Sequence, residues 1–210
     1  ADLIIAVDPD ADRCALAVPD PASQTGWSPL SGDQIGSLIG EFLALRGLTG
    51  SLANSIVSSR LLSRIARAHG LEHHTTLTGF KWIARAPGLG FGYEEAIGFC
   101  PDPAHVRDKD GIATSVVAAS LVASLKTQGR SVWDELERLA RLHGLHVSSP
   151  LTFRVDDIEQ IASGMARLRA QPPSVLAGSP VVEVSDLAQG YRGLPPTDGV
   201  LVLTEAEDRV

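Results

Sequence analysis

Three carboxylates fall within five consecutive residues, Asp8-Pro9-Asp10-Ala11-Asp12, directly after the apolar run Leu3-Ile4-Ile5-Ala6-Val7 and directly before Arg13. Around a helix, carboxylates at i, i+2 and i+4 fan outward, whereas an extended or tightly looped segment turns them to one side. Pro9 also argues against a helix here. The preceding β-branched run reads as a strand buried on both faces, and open α/β sheets collect ligands at the C-terminal ends of such strands. Three hard oxygen donors this close repel one another unless a cation lies between them. Mg²⁺ is the natural candidate, because it takes few protein ligands and leaves positions for phosphate oxygens. Asp8, Asp10 and Asp12 are therefore the expected metal ligands, with an acidic turn facing water as the alternative. A calcium EF-hand is excluded, since its sixth position would be Arg13 rather than Gly and its twelfth Pro19 rather than Glu.

The 210 residues, 44% of them hydrophobic, suffice for one large or two small domains with a real core. No run approaches the roughly 18 apolar residues of a membrane helix, and the first residues carry no basic-then-apolar signal, so no membrane partner is expected. A net charge of -7 without any Lys/Arg-rich run argues against a nucleic-acid partner. Cys14 and Cys100 lie far apart, which indicates neither a zinc site nor a disulfide framework and fits a reducing, cytoplasmic compartment. The chain opens without Met, almost directly on a strand, and ends at Val210 where another strand is under way, so a piece of a longer polypeptide is expected.

Beyond the acidic loop, Cys14 to Val18 reads as a return strand, and the Pro-, Ser- and Gly-rich stretch from Pro19 to Leu30 as a boundary. Ser31 or Asp33 caps a helix to about Arg46, with Ile35, Leu38, Ile39, Phe42 and Leu43 on one face. A strand near Asn54 to Val57, a Ser58-Ser59 cap and a helix ending at Gly70 form one βα unit. His73 to Leu77 opens a second, and the turn Thr78-Gly79-Phe80-Lys81 leads into a short helix. Strand-like runs flank Glu94-Glu95, and helices follow from Gly111 to about Leu125 and, capped by Ser131, from Val132 to Leu142. After a link at Leu145 to Pro150, Asp156 with Glu159 resembles a capping box for a helix to Arg169. Strands at Val181 to Val184 and Leu201 to Leu203 are expected to share a small sheet. Strands alternating with helices predict an α/β fold with a mixed or parallel sheet, followed by a partial α+β unit.

Gly79 and Lys81 sit at a strand-to-helix turn where backbone N–H groups and an ammonium can hold a phosphate; a capping turn with a solvated Lys is the alternative. Glu94 and Glu95 follow a glycine-rich strand, where adjacent carboxylates have no packing purpose and suit sugar hydroxyls; a solvated turn is the alternative. Lys109, just before the long helix, can carry a proton or contact phosphate if its pKa is lowered; a charged surface cap is the alternative. The six histidines lack neighbouring ligands at metal spacing and read as structural or exposed, with His105 the one to follow because it leads toward Lys109.

Taken in order, Asp8-Pro9-Asp10-Ala11-Asp12-Arg13, Thr78-Gly79-Phe80-Lys81-Trp82-Ile83, Gly92-Tyr93-Glu94-Glu95-Ala96-Ile97-Gly98 and Lys109-Asp110-Gly111 resemble the motifs of the α-D-phosphohexomutase superfamily. The branch that is most similar holds bacterial phosphomannomutases and phosphoglucomutases together with phosphopentomutases. The resemblance implies a mixed-sheet α/β/α domain followed by a partial α+β domain. In that scheme residues 1–29 end a second domain with the metal loop, 30–144 form the sugar-binding third domain, and 145–210 a linker and incomplete fourth domain. It also implies a Mg²⁺-dependent mutase that moves a phosphoryl group between the 1- and 6-positions of a hexose, through a phosphoserine and a hexose 1,6-bisphosphate intermediate. Asp8, Asp10 and Asp12 would hold the metal and Arg13 would contact phosphate. Glu94, with Glu95, would meet the sugar hydroxyls, Gly79 and Lys81 would line the substrate site, and Lys109 would assist proton transfer. Tyr93 and Ala96 stand where the family's sugar loop has Gly and Ser, leaving mannose, glucose and pentose phosphates open. The phosphoserine loop and the Arg-Pro-Ser-Gly-Thr phosphate loop are not in this sequence, so the chain by itself is expected to have little mutase activity. A haloacid-dehalogenase-type phosphatase using Asp8 as nucleophile and a non-catalytic sugar-phosphate-binding module are the alternatives.

Overall fold

The computed structural model describes residues 1–210, which divide into two compact units, 1–149 and 150–210. The first unit opens with an antiparallel sheet of β1 (Ile4–Val7), β2 (Cys14–Pro19) and β3 (Trp27–Pro29), in that order. The expected doubly buried strand is corrected here: Ile4, Ile5 and Val7 are 43%, 38% and 46% exposed. β1 is an edge strand with a neighbour on one side only, so its apolar residues reflect a β-former's preference rather than a central position. Residues Pro19 to Leu30, read from composition as a boundary, hold a turn and then β3, which continues the same sheet.

The remaining elements of this unit are α1 (Gly32–Leu45), β4 (Ser51–Ser55), α2 (Leu61–Ala68), β5 (Glu72–Thr76), α3 (Phe80–Ile83), β6 (Leu89–Glu94), β7 (Gly98–Cys100), α4 (Gly111–Thr127) and α5 (Val132–His143). A mixed sheet runs β5-β4-β6-β7, parallel except for the β6–β7 hairpin. Ser31 caps α1 through a full capping box with Gln34, and Ser131 does the same for α5 with Asp134. β4 lies a few residues earlier than the spacing suggests, because Ser51 to Ser55 rather than Asn54 to Val57 pair with β5 and β6. Side chains alternate across the sheet. Leu52, Phe91, Tyr93 and Phe99 join the main core with Ile35, Leu38 and Ile39 of α1, Leu62 and Ile65 of α2, and residues of α4 and α5. Ala53 and Cys100 face Phe80 and Ile83 of α3 on the other side. Burying each large apolar side chain contributes about 1.5–3 kcal/mol, so this two-sided cover holds the strand ends that carry the site.

Several polar groups inside this core are paired. The Tyr93 hydroxyl and the Ser59 N–H donate to Asp33 Oδ1 (2.8 and 2.7 Å), Asn54 Nδ2 donates to the Ser59 carbonyl (2.8 Å), and His73 Nε2 lies 3.0 Å from Asn54 Oδ1. Three helices are joined by charge. The buried Glu41 carboxylate of α1 meets His69 Nε2 (2.9 Å) at the end of α2 and Arg138 (2.5 Å) of α5, while Glu135 binds Arg138 (2.6 Å) and Arg130.

The second unit contains α6 (Glu159–Ala170) and an antiparallel sheet of β8 (Val175–Leu176), β9 (Ser179–Asp186) and β10 (Val200–Thr204), with β9 central. The expected pairing of the Val181 and Leu201 segments is present. The expected capping box is corrected: Asp157, not Asp156, accepts from the Glu159 N–H (2.9 Å), and Ile158 occupies the cap. Arg169 ties α6 to Asp186 (3.2 Å) and Asp198 (2.5 Å). No helix is long and apolar enough to cross a membrane.

Arg138→Met leaves Glu41 buried and short of a countercharge, and should lower the unfolding free energy by about 3 kcal/mol in urea titration. The exposed Arg141–Glu137 pair (2.5 Å) gives the contrast, with Arg141→Gln costing less than about 0.5 kcal/mol. Burial, reinforced by neighbouring His74, lowers the His73 pKa from 6.5 to about 4. The unfolded chain therefore binds the proton more readily, and this contribution is present above pH 6.5 and is lost as pH falls toward about 4. Thermal unfolding across that window should lose this acid sensitivity in His73→Gln.

Candidate active site

Three loops meet at the C-terminal end of β6 and are joined through their backbones. The acidic loop between β1 and β2 bends at Ala11, whose φ is +59°, and the Ala11 N–H donates to the Asp8 carbonyl (2.9 Å). The Cys14 N–H donates to the Ile97 carbonyl of the β6–β7 turn (3.1 Å), and the Gly111 N–H donates to the Ala11 carbonyl (3.0 Å). The Asp110 N–H donates to the Phe99 carbonyl (2.9 Å), which fixes the segment holding Lys109. The position of each charged side chain thus follows from main-chain hydrogen bonds of the other two loops.

Asp8, Asp10 and Asp12 each present an oxygen, all within 4.8 Å of one another. Arg13 braces the cluster: its N–H donates to Asp8 Oδ1 (3.1 Å) and its Nε to Asp8 Oδ2 (2.6 Å). The Arg13 backbone N–H foremost, then its guanidinium and a bond with Asp10, hold the Asp8 carboxyl down at about 2 against the opposing effect of desolvation. On the other side Lys109 Nζ pairs with Asp12 Oδ2 at 2.9 Å. Asp12 Oδ1 is buried with no hydrogen-bond partner and lies 3.7 Å from Arg13 Nε. Three carboxylates converging on a small space, with one orphaned buried oxygen, fit a hard cation of the Mg²⁺ kind.

Glu94 stands at the end of β6, close to this cluster. Desolvation raises its pKa, with Glu95 and Asp12 adding to the rise and Lys109 and the Gly79 backbone opposing it. Gly79, with φ +106°, thus reaches Glu94 from the strand-to-helix turn, in a conformation that L side chains rarely adopt. Gly98 matters for a different reason. A Cβ there would lie 2.5 Å from Lys109 Cδ and 3.1 Å from Glu94 Oε1, so the bare backbone is what lets these two side chains lie together. The hydrogen bond to Asp12 raises the Lys109 pKa, against desolvation. The lowering on which its expected role as proton carrier or phosphate contact rested is therefore corrected to a rise, and Lys109 holds its proton more tightly.

Two expected contributors lie elsewhere in the arrangement. Glu95 turns away from Glu94, its Oε2 accepting from Ser55 and Ser58 hydroxyls at 2.9 Å each. Lys81 is exposed over Trp82 (5.8 Å) and lines an open depression with Phe80, Ala84, Arg85, Arg107 and Asp108. His105 is exposed and pairs with Asp102 at 2.7 Å. Arg85 and Arg107 were missed from the sequence. Arg85 is four residues beyond Lys81, a helical spacing that signals a shared face, and Arg107 reaches the same place by donating to the Ala84 carbonyl (2.7 Å).

Fold and site together describe an α/β protein with a three-carboxylate loop and a basic depression beside α3, and comparison with known proteins gives it a family. Residues 31–142 match the model of phosphoglucomutase/phosphomannomutase, alpha/beta/alpha domain III. Over 188 residues the chain is 44% identical to a Haemophilus influenzae protein named "Probable phosphomannomutase", covering 89% of this chain and 38% of that one. It is 33% identical over 201 residues to a phosphoglucomutase of Staphylococcus aureus strain MSSA476, covering 89% and 36%, and 30% identical over 235 aligned positions to a phosphopentomutase of Mus musculus, covering 100% and 37%. Among solved structures, the fold is shared with the open form of the Paramecium phosphoglucomutase pp63/parafusin, with a TM-score of 0.74 at 17% identity over 99% of this chain and 37% of that one. The chain belongs to the phosphoglucomutase/phosphomannomutase family of the α-D-phosphohexomutase superfamily. It spans 36–38% of the length of these curated relatives.

The cluster predicts that the chain binds Mn²⁺ or Mg²⁺ and that Asp12→Asn weakens binding by about a hundredfold in calorimetry. Lys109→Met should act in the opposite direction, tightening Mn²⁺ binding by about tenfold because a repelling charge is removed. Equal affinities in all three proteins would show that the carboxylates are not the ligands.

Proposed function

We propose that this chain is part of a Mg²⁺-dependent phosphosugar mutase that interconverts hexose 1-phosphate and hexose 6-phosphate through a phosphoserine and a 1,6-bisphosphate. The supporting observation is the meeting of the acidic loop, Glu94 and Lys109 on three loops held by shared backbone hydrogen bonds. In this reading residues 1–29 close the domain that precedes the sugar-binding domain, 30–144 form that domain, and 145–210 begin the last one. The phosphoserine belongs to a segment outside this sequence, and cytoplasmic placement is part of the same proposal.

Phosphoryl transfer needs alignment and charge neutralisation more than covalent help from the protein. Asp8, Asp10 and Asp12 would hold Mg²⁺, which supplies positive charge to the transferring phosphoryl group. Arg13 keeps Asp8 ionised and oriented. Glu94 accepts hydrogen bonds from sugar hydroxyls, and desolvation strengthens those bonds. Lys109 Nζ, beside Asp12, is placed to pass a proton to the oxygen that loses the phosphoryl group and to take back the proton that the attacking hydroxyl releases. Lys81, Arg85 and Arg107 offer three positive charges to the phosphate that does not react. The names of the relatives divide among phosphomannomutase, phosphoglucomutase and phosphopentomutase, which supports mannose or glucose as the hexose and a pentose phosphate as the alternative substrate.

The test is mutase activity of the longer polypeptide that carries this chain, with Mg²⁺, a trace of hexose bisphosphate, and mannose, glucose and ribose 1-phosphates in parallel. Isomerisation is expected, with Asp10→Asn lowering kcat by about a hundredfold or more. Release of free phosphate would instead establish a phosphatase, and saturable binding without turnover a non-catalytic module. The 210-residue chain alone should show little turnover.

A further inference from the structure

Glu95 is gripped from three directions. Its carboxylate accepts from Ser55 and Ser58, its own backbone N–H donates to Ser58 Oγ (3.2 Å), and its carbonyl lies so close to α1 that a Cβ at Gly32 would come within 2.0 Å of the oxygen. Ser55 and Ser58 are 1% exposed and lie 2.8 Å apart, so three oxygens form a triangle with two hydroxyl protons to share. With Oε2 held by both serines, the Glu95 carboxylate is tied to the end of β4. Both serines lie at the C-terminal end of β4 or just past it, and the next residue before Glu95 is Glu94.

We propose that Ser55, Ser58 and Glu95 form a clamp that positions the β6–β7 turn, so that Glu95 acts as a positioning residue and Glu94 alone of the pair contacts the sugar. Its kinetic consequence rests on the mutase reading. The clamp fixes the turn on the sheet side, while the Cys14–Ile97 hydrogen bond fixes it on the side of the acidic loop. The direction of the Glu94 carboxylate is set between these two anchors. Gln at position 95 keeps an acceptor for both serine hydroxyls; Ala keeps none.

Two measurements separate the clamp from the reading it serves. In the 210-residue chain, hydrogen exchange at the Glu95 amide should accelerate about tenfold or more in Ser58→Ala and Glu95→Ala and change less than about threefold in Glu95→Gln. In the longer polypeptide, Glu95→Ala and Ser55→Ala should each lower kcat/KM by about tenfold or more, chiefly through KM, with Glu95→Gln restoring it to within about threefold and Glu94→Gln remaining defective. Glu95 stands on a half-buried turn, so its Ala and Gln variants give the comparison even if a buried serine variant fails to fold. A Glu95→Gln loss as deep as that of Glu94→Gln, with normal kinetics in the serine variants, would place Glu95 on the sugar and overturn the clamp. If the wild-type polypeptide isomerises no phosphosugar, the mutase reading fails, and unchanged exchange in Ser58→Ala and Glu95→Ala would overturn the clamp independently.

Discussion

Mutual repulsion among Asp8, Asp10 and Asp12 is the constraint to which the surrounding structure answers. Carboxylate oxygens within 4.8 Å of one another are stable only where positive charge reaches them, and the chain brings it from two sides. Arg13 is supplied by the same loop and engages Asp8 through both backbone and side chain. Lys109 comes from a segment nearly a hundred residues later and engages Asp12. The second contact exists only because α4 and the β6–β7 hairpin are packed on the rest of the unit, so folding itself completes the charge balance.

The same packing explains how Glu94 and Lys109 share a small volume with the acidic loop. β6 and β7 are anchored by Phe91, Tyr93 and Phe99, all fully buried in the core with α1 and α2. Their turn projects beyond the sheet, where Gly98 leaves space for the Lys109 stem. A rigid interior thus carries an open polar edge, and several groups there bear shifted proton affinities. Hydrogen bonds lower the pKa of Asp8 and raise that of Lys109, while desolvation raises that of Glu94.

The sequence made much of this legible. The run of carboxylates, the glycine before Lys81, the Glu94-Glu95 pair and the Lys109 segment stand at spacings that local geometry converts into loops. Ser31 and Ser131 identified their helices because a cap is a local device, readable within a few residues. What local spacing could not supply was which partner each side chain meets. β1 has the composition of a central strand and lies at an edge, because strand order is set by pairing that the strand itself does not encode. The divergence of Glu94 and Glu95 depends on serines forty residues away, and the basic depression beside α3 needs Arg107 folded back onto Ala84.

The central claim is that the three carboxylates form one cation site completed by the two neighbouring loops. The most direct measurement is a crystal structure of the chain grown with Mn²⁺, with anomalous difference density calculated at the metal edge. A single peak bounded by Asp8, Asp10 and Asp12 oxygens at ligand distances of about 2.0–2.3 Å, with Glu94 and Lys109 alongside, is the predicted result. Density elsewhere, or none at this loop with Arg13 and Lys109 still paired to Asp8 and Asp12, would contradict it.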